Sequence, residues 1–168
     1  MPLRIEPLGS HDRKHFSCGQ PDLDDWFRRR AGQDQRRNVS RVFVAVDDEL
    51  GVVGFYSLST FSFVFDDLPP HLSRRLPRYE AIPAALIGRL ARDEERVRGQ
   101  GVGELLLADA IVRILSAAQS VAVFAIVVDA KDERAAAFYE GYGFERFPTR
   151  PLRLFLPAST AAAALERA

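Results

Sequence analysis

At 168 residues, with 47% apolar and 27% charged residues, the chain is long enough for one globular domain with a single substantial core. Its net charge of zero excludes bulk attraction to nucleic acid or to a membrane surface, and no apolar run reaches the about 18 residues of a membrane span. Cys18 is the only cysteine, which excludes an internal disulfide; with a start at Met1–Glu6 that lacks a signal-peptide pattern, this points to a reducing, cytoplasmic setting.

In chain order, Leu3, Ile5 and Leu8 predict a short strand at a sheet edge, and residues 12–21 have turn character. Asp22 is expected to cap a helix on which Leu23, Trp26, Phe27 and Ala31 fall at helical spacing. Around that helix lie Arg28, Arg29, Arg30, Arg36, Arg37 and Arg41, six arginines within 14 residues. Such a run is either a solvated face or a phosphate-contacting patch. All other basic residues except Lys14 and Lys131 are also arginine, a bias that base composition explains as readily as function.

Residues 41–46 and 52–59 read as two strands of an antiparallel hairpin, joined by Asp47-Asp48-Glu49-Leu50-Gly51, with 61–65 extending the second. Pro69, Pro70 and Pro77 make 66–83 irregular, with one short helix near 71–76; this loop is a candidate wall of a substrate cleft. An apolar strand at 86–93 follows. A turn, Arg98-Gly99-Gln100-Gly101-Val102-Gly103, then opens a helix. A helix start leaves its first N–H groups unpaired and carries about half a positive charge, so small residues there let an anion reach the backbone. The stretch reads as a phosphate cradle.

Leu107, Ala110, Ile111, Ile114, Leu115 and Ala118 predict one buried face for that helix, and Val121–Val128 a strand buried on both faces. Asp132 is the expected N-cap of a helix over 133–140, ended at Gly141 or Gly143 by a left-handed residue. Residues 144–147 and 152–156 read as closing strands. The expected organisation is a single domain over 1–157 and an alanine-rich tail over 158–168, helical in composition but poorly packed. The element order gives a mixed α/β (α+β) sheet with helices on its faces.

Several chemistries are excluded by pattern. His11, His15 and His71 are scattered and, with one cysteine, give no metal-ligand spacing. No serine sits in a nucleophile elbow. The glycine turn lacks the Gly-Lys-Ser/Thr of a nucleotide P-loop, and its alternating Gly99, Gly101 and Gly103 depart from the dinucleotide fingerprint.

Arg98-x-x-Gly101-x-Gly103 at a strand-to-helix junction resembles the acetyl-CoA loop of the GNAT superfamily of N-acetyltransferases. Asp132-x-x-Ala135-x-x-x-Tyr139-Glu140-x-Tyr142-Gly143-Phe144 resembles that superfamily's last helix and turn. Further motifs narrow the resemblance: Phe16-x-Cys18-Gly19, Leu23-Asp24, Gly54-Phe55-Tyr56-Ser57-Leu58, Ile82-Pro83, Gly88-Arg89-Leu90-Ala91-x-Asp93, Val128-Asp129-Ala130-Lys131 and Phe155-Leu156-Pro157. Together, in this order, they are similar to the acetyltransferase toxins of bacterial toxin–antitoxin modules, whose characterised members acetylate the amino group of aminoacyl-tRNA.

The resemblance implies the GNAT fold, a twisted, mostly antiparallel mixed sheet with helices on both faces and a splayed central strand. It implies acetyl-CoA as co-substrate and no metal. Backbone groups at Leu90, Ala91 and Arg92 would pair with the pantetheine arm; those of Arg98, Gly99, Gln100, Gly101, Val102 and Gly103 would hold the pyrophosphate; Asp132 and Phe138 would flank the coenzyme. Arg92 stands where an aliphatic residue is common, and Asp132 where many members have asparagine. Tyr139 becomes the candidate general acid for the departing thiolate, although helix spacing alone reads it as core. Arg28, Arg29, Arg30, Arg36, Arg37, Arg41 and Arg89 are candidate tRNA contacts. Expected partners are aminoacyl-tRNA, a ribbon–helix–helix antitoxin and a second copy of the chain; no membrane is expected.

No residue declares itself a general base. An α-amino group, pKa about 8, is already substantially neutral near pH 7 and an aminoacyl ester amine lower still, whereas a lysine, pKa about 10.4, needs help. The pattern therefore leans toward α-amino acceptors, with Glu80 or water as alternatives. Two other readings stay open: a GNAT enzyme acting on a small amine or a protein N-terminus, and a non-catalytic acyl-CoA-binding module.

Overall fold

The computed structural model describes residues 3–78 and 81–167. The strands are β1 (Leu3–Pro7), β2 (Arg41–Asp47), β3 (Gly51–Phe63), β4 (Ile82–Arg92), β5 (Ala125–Asp129), β6 (Glu145–Phe147) and β7 (Arg150–Pro157). The helices are α1 (Pro21–Arg29), α2 (Ala31–Arg36), α3 (Pro70–Ser73), α4 (Val102–Ala117), α5 (Glu133–Glu140) and α6 (Ala158–Glu166). The strands follow the order β1-β2-β3-β4-β5-β7-β6, a seven-stranded mixed sheet. The chain groups into two compact units, one running up to Ser59 and joined by Ile87–Val112, the other made of Thr60–Leu86 and the chain from Arg113.

In the first unit, β1 and β2 pair antiparallel, as do β2 and β3. The hairpin turn is held by Asp47, whose Oδ1 accepts from the Glu49 and Leu50 amides at 2.8 Å each. Side chains alternate across a strand, so the register Val44↔Phe55 puts those two on one face, and Ala45↔Gly54 and Phe43↔Tyr56 put theirs on the other. The first face packs on α1 and its flanks. Phe55 stacks on Phe27 with centroids 4.1 Å apart, and Phe16 meets both rings edge-on. The second face carries α4. A Cβ on Gly54 would lie 2.9 Å from Leu106 Cδ1, so glycine there lets the first turns of α4 settle onto β3. Tyr56 fixes the same helix by donating to Asp109 Oδ2 at 2.5 Å. Helices therefore cover both faces of this hairpin.

In the second unit, β5 and β7 pair antiparallel from Ala125↔Pro157 to Asp129↔Arg153, and β6 pairs with β7. Phe63, Val127, Phe147 and Phe155 form its core, with Leu68, Ile82 and Ala84. The Phe124 amide donates to Pro83 O at 2.9 Å where β4 begins.

Several local expectations are corrected. Helix α1 starts at Pro21, whose missing N–H and fixed φ suit the first helical position, so Gln20 and not Asp22 is the N-cap. The helix breaks at Arg30, and Ala31, fully buried, belongs to α2. The apolar run 121–128 is strand only from Ala125: Val121 ends the α4 turn, its amide donating to Ala117 O, and is 66% exposed. Of the expected face of α4, Leu107, Ala110 and Ile114 are buried and Ile111, Leu115 and Ala118 half-buried; Val102 and Leu106 join it unforeseen, Leu106 where Gly54 admits it. The tail forms α6 and is packed: Ala161 is buried, and the Ala158 amide donates to Phe124 O at 2.8 Å. Met1, Pro2, Glu80 and Ala168 lie outside the described residues.

Candidate active site

Strand β4 delivers the chain to the glycine turn. Leu90 and Arg92 are half-buried and Ala91 is buried; the Arg92 guanidinium turns back to donate to Asp93 O at 3.2 Å. After Asp93 the chain turns through residues 94–99, with Val97 fully buried as its anchor. Gly99 and Gly101 both have φ +75°, the left-handed region that disfavours a side chain. Helix α4 starts at Val102, whose side chain is sealed in the core. Among the described residues no hydrogen bond takes the amides of Val102, Gly103 or Glu104. Arg98, Gly99 and Gln100 are exposed above them. The turn thus presents donors and a helix-start partial charge between glycines, with the cation of Arg98 beside them, which suits a phosphate.

Sequence reading quoted Asp93 only as part of a motif. In the structure its buried carboxylate accepts from the Glu95 and Arg96 amides at 3.1 and 2.9 Å and from Arg96 Nε at 3.0 Å. Burial raises the carboxyl's pKa, but these bonds and that from the Ser17 amide outweigh it and hold it below the ordinary carboxylate range. The signal was available: aspartate two and three residues before a turn's amides is an Asx-turn pattern.

In the second unit, Asp132 caps α5, its Oδ1 accepting from the Ala135 amide at 2.8 Å. The helix ends at Gly141, which is right-handed and donates to Ala137 O rather than forming the expected left-handed cap; Gly143, at φ +94°, shapes the turn that follows, its amide on Glu140 O. Tyr139 faces inward, 4% exposed, with Phe138 at 5.3 Å and Phe144 at 5.7 Å between ring centroids. Phe138, half-buried, also meets Tyr142. Burial, and secondarily the charge of Asp129, push the Tyr139 phenol pKa well above the ordinary value. Asp129 is itself gripped by Arg153, at 2.7 and 3.1 Å, whose guanidinium lies over Phe61. Tyr139 stays a proton donor across the usual pH range.

The arginines of the first unit divide by role. Arg28 donates to Phe16 O, Arg29 pairs with Asp25 at 3.2 Å, and Arg41 binds Gln35 O and Asn38 Oδ1. Arg30, Arg36 and Arg37 are exposed, and among the described residues their side chains make no hydrogen bond or ion pair. Arg89 is set apart: half-buried on β4, its guanidinium sits 3.9 Å from the Trp26 ring centroid. Burial lowers its pKa, opposed by Asp34, while Arg30 adds to the lowering. Trp26 Nε1 donates to Asp34 Oδ2 at 2.9 Å, which fixes the ring. Among the described residues no cluster of metal-ligating side chains occurs.

Residues 38–146 match the family model described as the acetyltransferase (GNAT) domain, a span that covers most of β2 to β6 and contains both the glycine turn and Tyr139. The chain belongs to the GNAT acetyltransferase family. A "tRNA-acetylating toxin" of Mycobacterium tuberculosis is 41% identical over 155 residues, covering 92% of this chain and 90% of its own. The structure of AtaT complexed with acetyl-methionyl-tRNAfMet superposes with a TM-score of 0.89 at 28% identity, covering 98% of this chain and 99% of that one. A mutant of the toxin AtaT, bound to the C-terminus of the antitoxin AtaR and to acetyl-CoA, superposes with a TM-score of 0.82 at 26% identity over 97% and 98% of the two chains. This GNAT acetyltransferase is thus similar over 92% to 98% of its length to these toxins.

Proposed function

We propose that the protein is a toxin-like acetyltransferase that moves the acetyl group of acetyl-CoA directly onto the α-amino group of aminoacyl-tRNA. The observation that carries the donor is the glycine turn: two left-handed glycines expose the free amides at the head of α4, a cradle for the coenzyme's pyrophosphate. The acceptor rests on the 41% identity to a tRNA-acetylating toxin and on the fold shared with AtaT in its acetyl-methionyl-tRNA complex.

In this reading, backbone groups at Leu90, Ala91 and Arg92 pair with the pantetheine arm and polarise the acetyl carbonyl. The neutral α-amine attacks the carbonyl carbon. The C–S bond then breaks, the thiolate takes the Tyr139 phenol proton, and the new ammonium loses its extra proton to water. Its raised pKa keeps the phenol protonated until the thiolate appears but also makes it a weaker acid, so the proton moves only once the departing thiolate stands beside the hydroxyl. The same α-amine, pKa about 8, needs no dedicated base. Asp132, occupied in capping, contributes through the placement of α5, and Phe138 lines the coenzyme. Arg30, Arg36, Arg37 and Arg89 receive the acceptor arm, the first three as cations with no internal partner. In this reading the enzyme acts in the cytoplasm, a ribbon–helix–helix antitoxin binds it, as AtaR binds AtaT, and it pairs with a second copy of itself.

The test is transfer of labelled acetyl from acetyl-CoA to total charged tRNA, to deacylated tRNA and to small amines. Label on charged tRNA alone is expected. Equal labelling of free amines assigns the chain instead to the small-amine acetyltransferases.

A further inference from the structure

The tip of the glycine turn packs on little: a Cβ built on Gly99 would meet nothing within 4 Å. Within the turn, buried Val97 and the bonds from the Gln100 amide to Val97 O and the Leu105 amide to Gly101 O set its frame. Its tie to the rest of the unit comes from one residue pair at the turn's entry. Asp93 Oδ1 takes the Glu95 and Arg96 amides, and Oδ2 takes Arg96 Nε at 3.0 Å and the Ser17 amide at 3.4 Å. Arg96 spends its remaining donors outward, Nη1 to Leu50 O at 2.7 Å and Nη2 to Val52 O at 2.9 Å. The backbone repeats these ties: the Asp93 amide donates to Val53 O and the Glu94 amide to Ser17 O, both at 2.8 Å.

Three separate segments therefore converge on one buried carboxylate and one fork-shaped cation. They are the hairpin turn at Leu50–Val53, the loop at Ser17, and the phosphate turn itself. The Ser17 segment is held from its far side, where Asp24 takes the Cys18 amide at 2.9 Å and the Ser17 hydroxyl at 3.3 Å. The arrangement has the features of a staple: Arg's five donors in a fixed plane reach three acceptors that a lysine could not reach together.

We infer that Asp93 and Arg96 are positioning residues for donor selection, holding the glycine turn in the one geometry that accepts a coenzyme pyrophosphate. Neither touches the reacting atoms. Their effect is confined to the part of the donor that the turn would hold, the nucleotide diphosphate end. A truncated donor that ends at the pantetheine, such as S-acetyl-pantetheine, bypasses the turn and is blind to the staple. The inference rests on the coenzyme reading of the turn, and the two fail differently.

The experiment compares acetyl-CoA with S-acetyl-pantetheine as donors to charged tRNA, in the wild type, Asp93→Asn and Arg96→Lys, alongside calorimetric affinity for coenzyme A, which needs no acceptor. The expected result is a rise of at least about tenfold in Kd and KM for the coenzyme in both variants, with kcat within about twofold. Turnover of S-acetyl-pantetheine is expected to match the wild type. Equal losses with both donors would overturn the inference and mark the pair as a general fold determinant; unchanged coenzyme affinity in both variants would overturn it as well. If the wild type itself does not distinguish coenzyme A from pantetheine, the phosphate reading of the turn fails before the staple is tested. Should Asp93→Asn unfold, the charge-retaining Arg96→Lys carries the comparison.

Discussion

The guanidinium of Arg89 lies 3.9 Å from the ring centroid of Trp26, joining strand β4 to helix α1. The indole is pinned in turn by Asp34 and stacks on Phe55, so the platform under Arg89 is rigid. A guanidinium held on an aromatic face keeps its edge donors for a phosphate or a base. Arg89→Lys, which keeps charge but loses the planar stack, is expected to raise KM for charged tRNA at least about fivefold and to leave coenzyme affinity unchanged. The stack itself contributes about 0.5–2 kcal/mol to stability, so the melting temperature should fall by only a few degrees.

Tyr139→Phe is expected to lower kcat by about a hundredfold or more, the usual contribution of a general acid, with coenzyme affinity held within about twofold. The pH profile gives a second check. With the phenol pKa raised by burial and by Asp129, the acid stays protonated above pH 10. The rate should therefore rise as the acceptor amine loses its proton and then hold level to pH 10. An alkaline decline with a midpoint below pH 10 would remove Tyr139 from the mechanism.

Arg30, Arg36 and Arg37, exposed and without internal partners, form the test of the basic patch. Replacing all three with alanine should weaken charged-tRNA binding while sparing stability. Each lost phosphate contact should also flatten the dependence of log affinity on log salt by about 0.7–0.9. Arg28→Ala differs, because that side chain holds the Phe16 carbonyl and its loss should lower the melting temperature. Titration of tRNA at several salt concentrations separates the two behaviours.

Much of this was legible in the chain because periodicity and caps are local. The hairpin around Asp47–Gly51, the cap at Asp132 and the short closing strands follow from residues within a few positions of each other. What escaped depended on distant partners. The place of Leu106 on the buried face of α4 could not be read without Gly54, which sits on another strand and admits it. The 121–128 run looked uniform, yet only Ala125 onward finds a strand to pair with, and Val121 closes a helix. The staple at Asp93 and Arg96 spans acceptors 44 and 46 positions away, and Arg89 acquires its place only through Trp26. The alanine-rich tail lacked large apolar residues and read as loose, but small side chains are what let α6 seat Ala161 close against the strands.

Acid stability offers a check that is independent of activity. Asp93 and Asp47 are both held below the ordinary carboxylate range, Asp93 by Arg96 and Ser17 against burial, Asp47 chiefly by the Leu50 and Glu49 amides. A lowered folded pKa stabilises the native state above the unfolded value of about 3.9, and that contribution is lost as pH falls through the folded pKa. The melting temperature should thus decline below about pH 4, and Asp93→Asn should flatten that decline.

The central claim is tested by finding where the acetyl group goes. Charged tRNA incubated with acetyl-CoA and enzyme, then treated with mild alkali, releases its amino acid for mass measurement. N-acetyl amino acid is expected from the wild type, and from Tyr139→Phe in the same time about a hundredth of it or less, the rest being free amino acid. Acetyl retained on the nucleotides, or free amino acid alone from an enzyme that acetylates small amines, would contradict the claim.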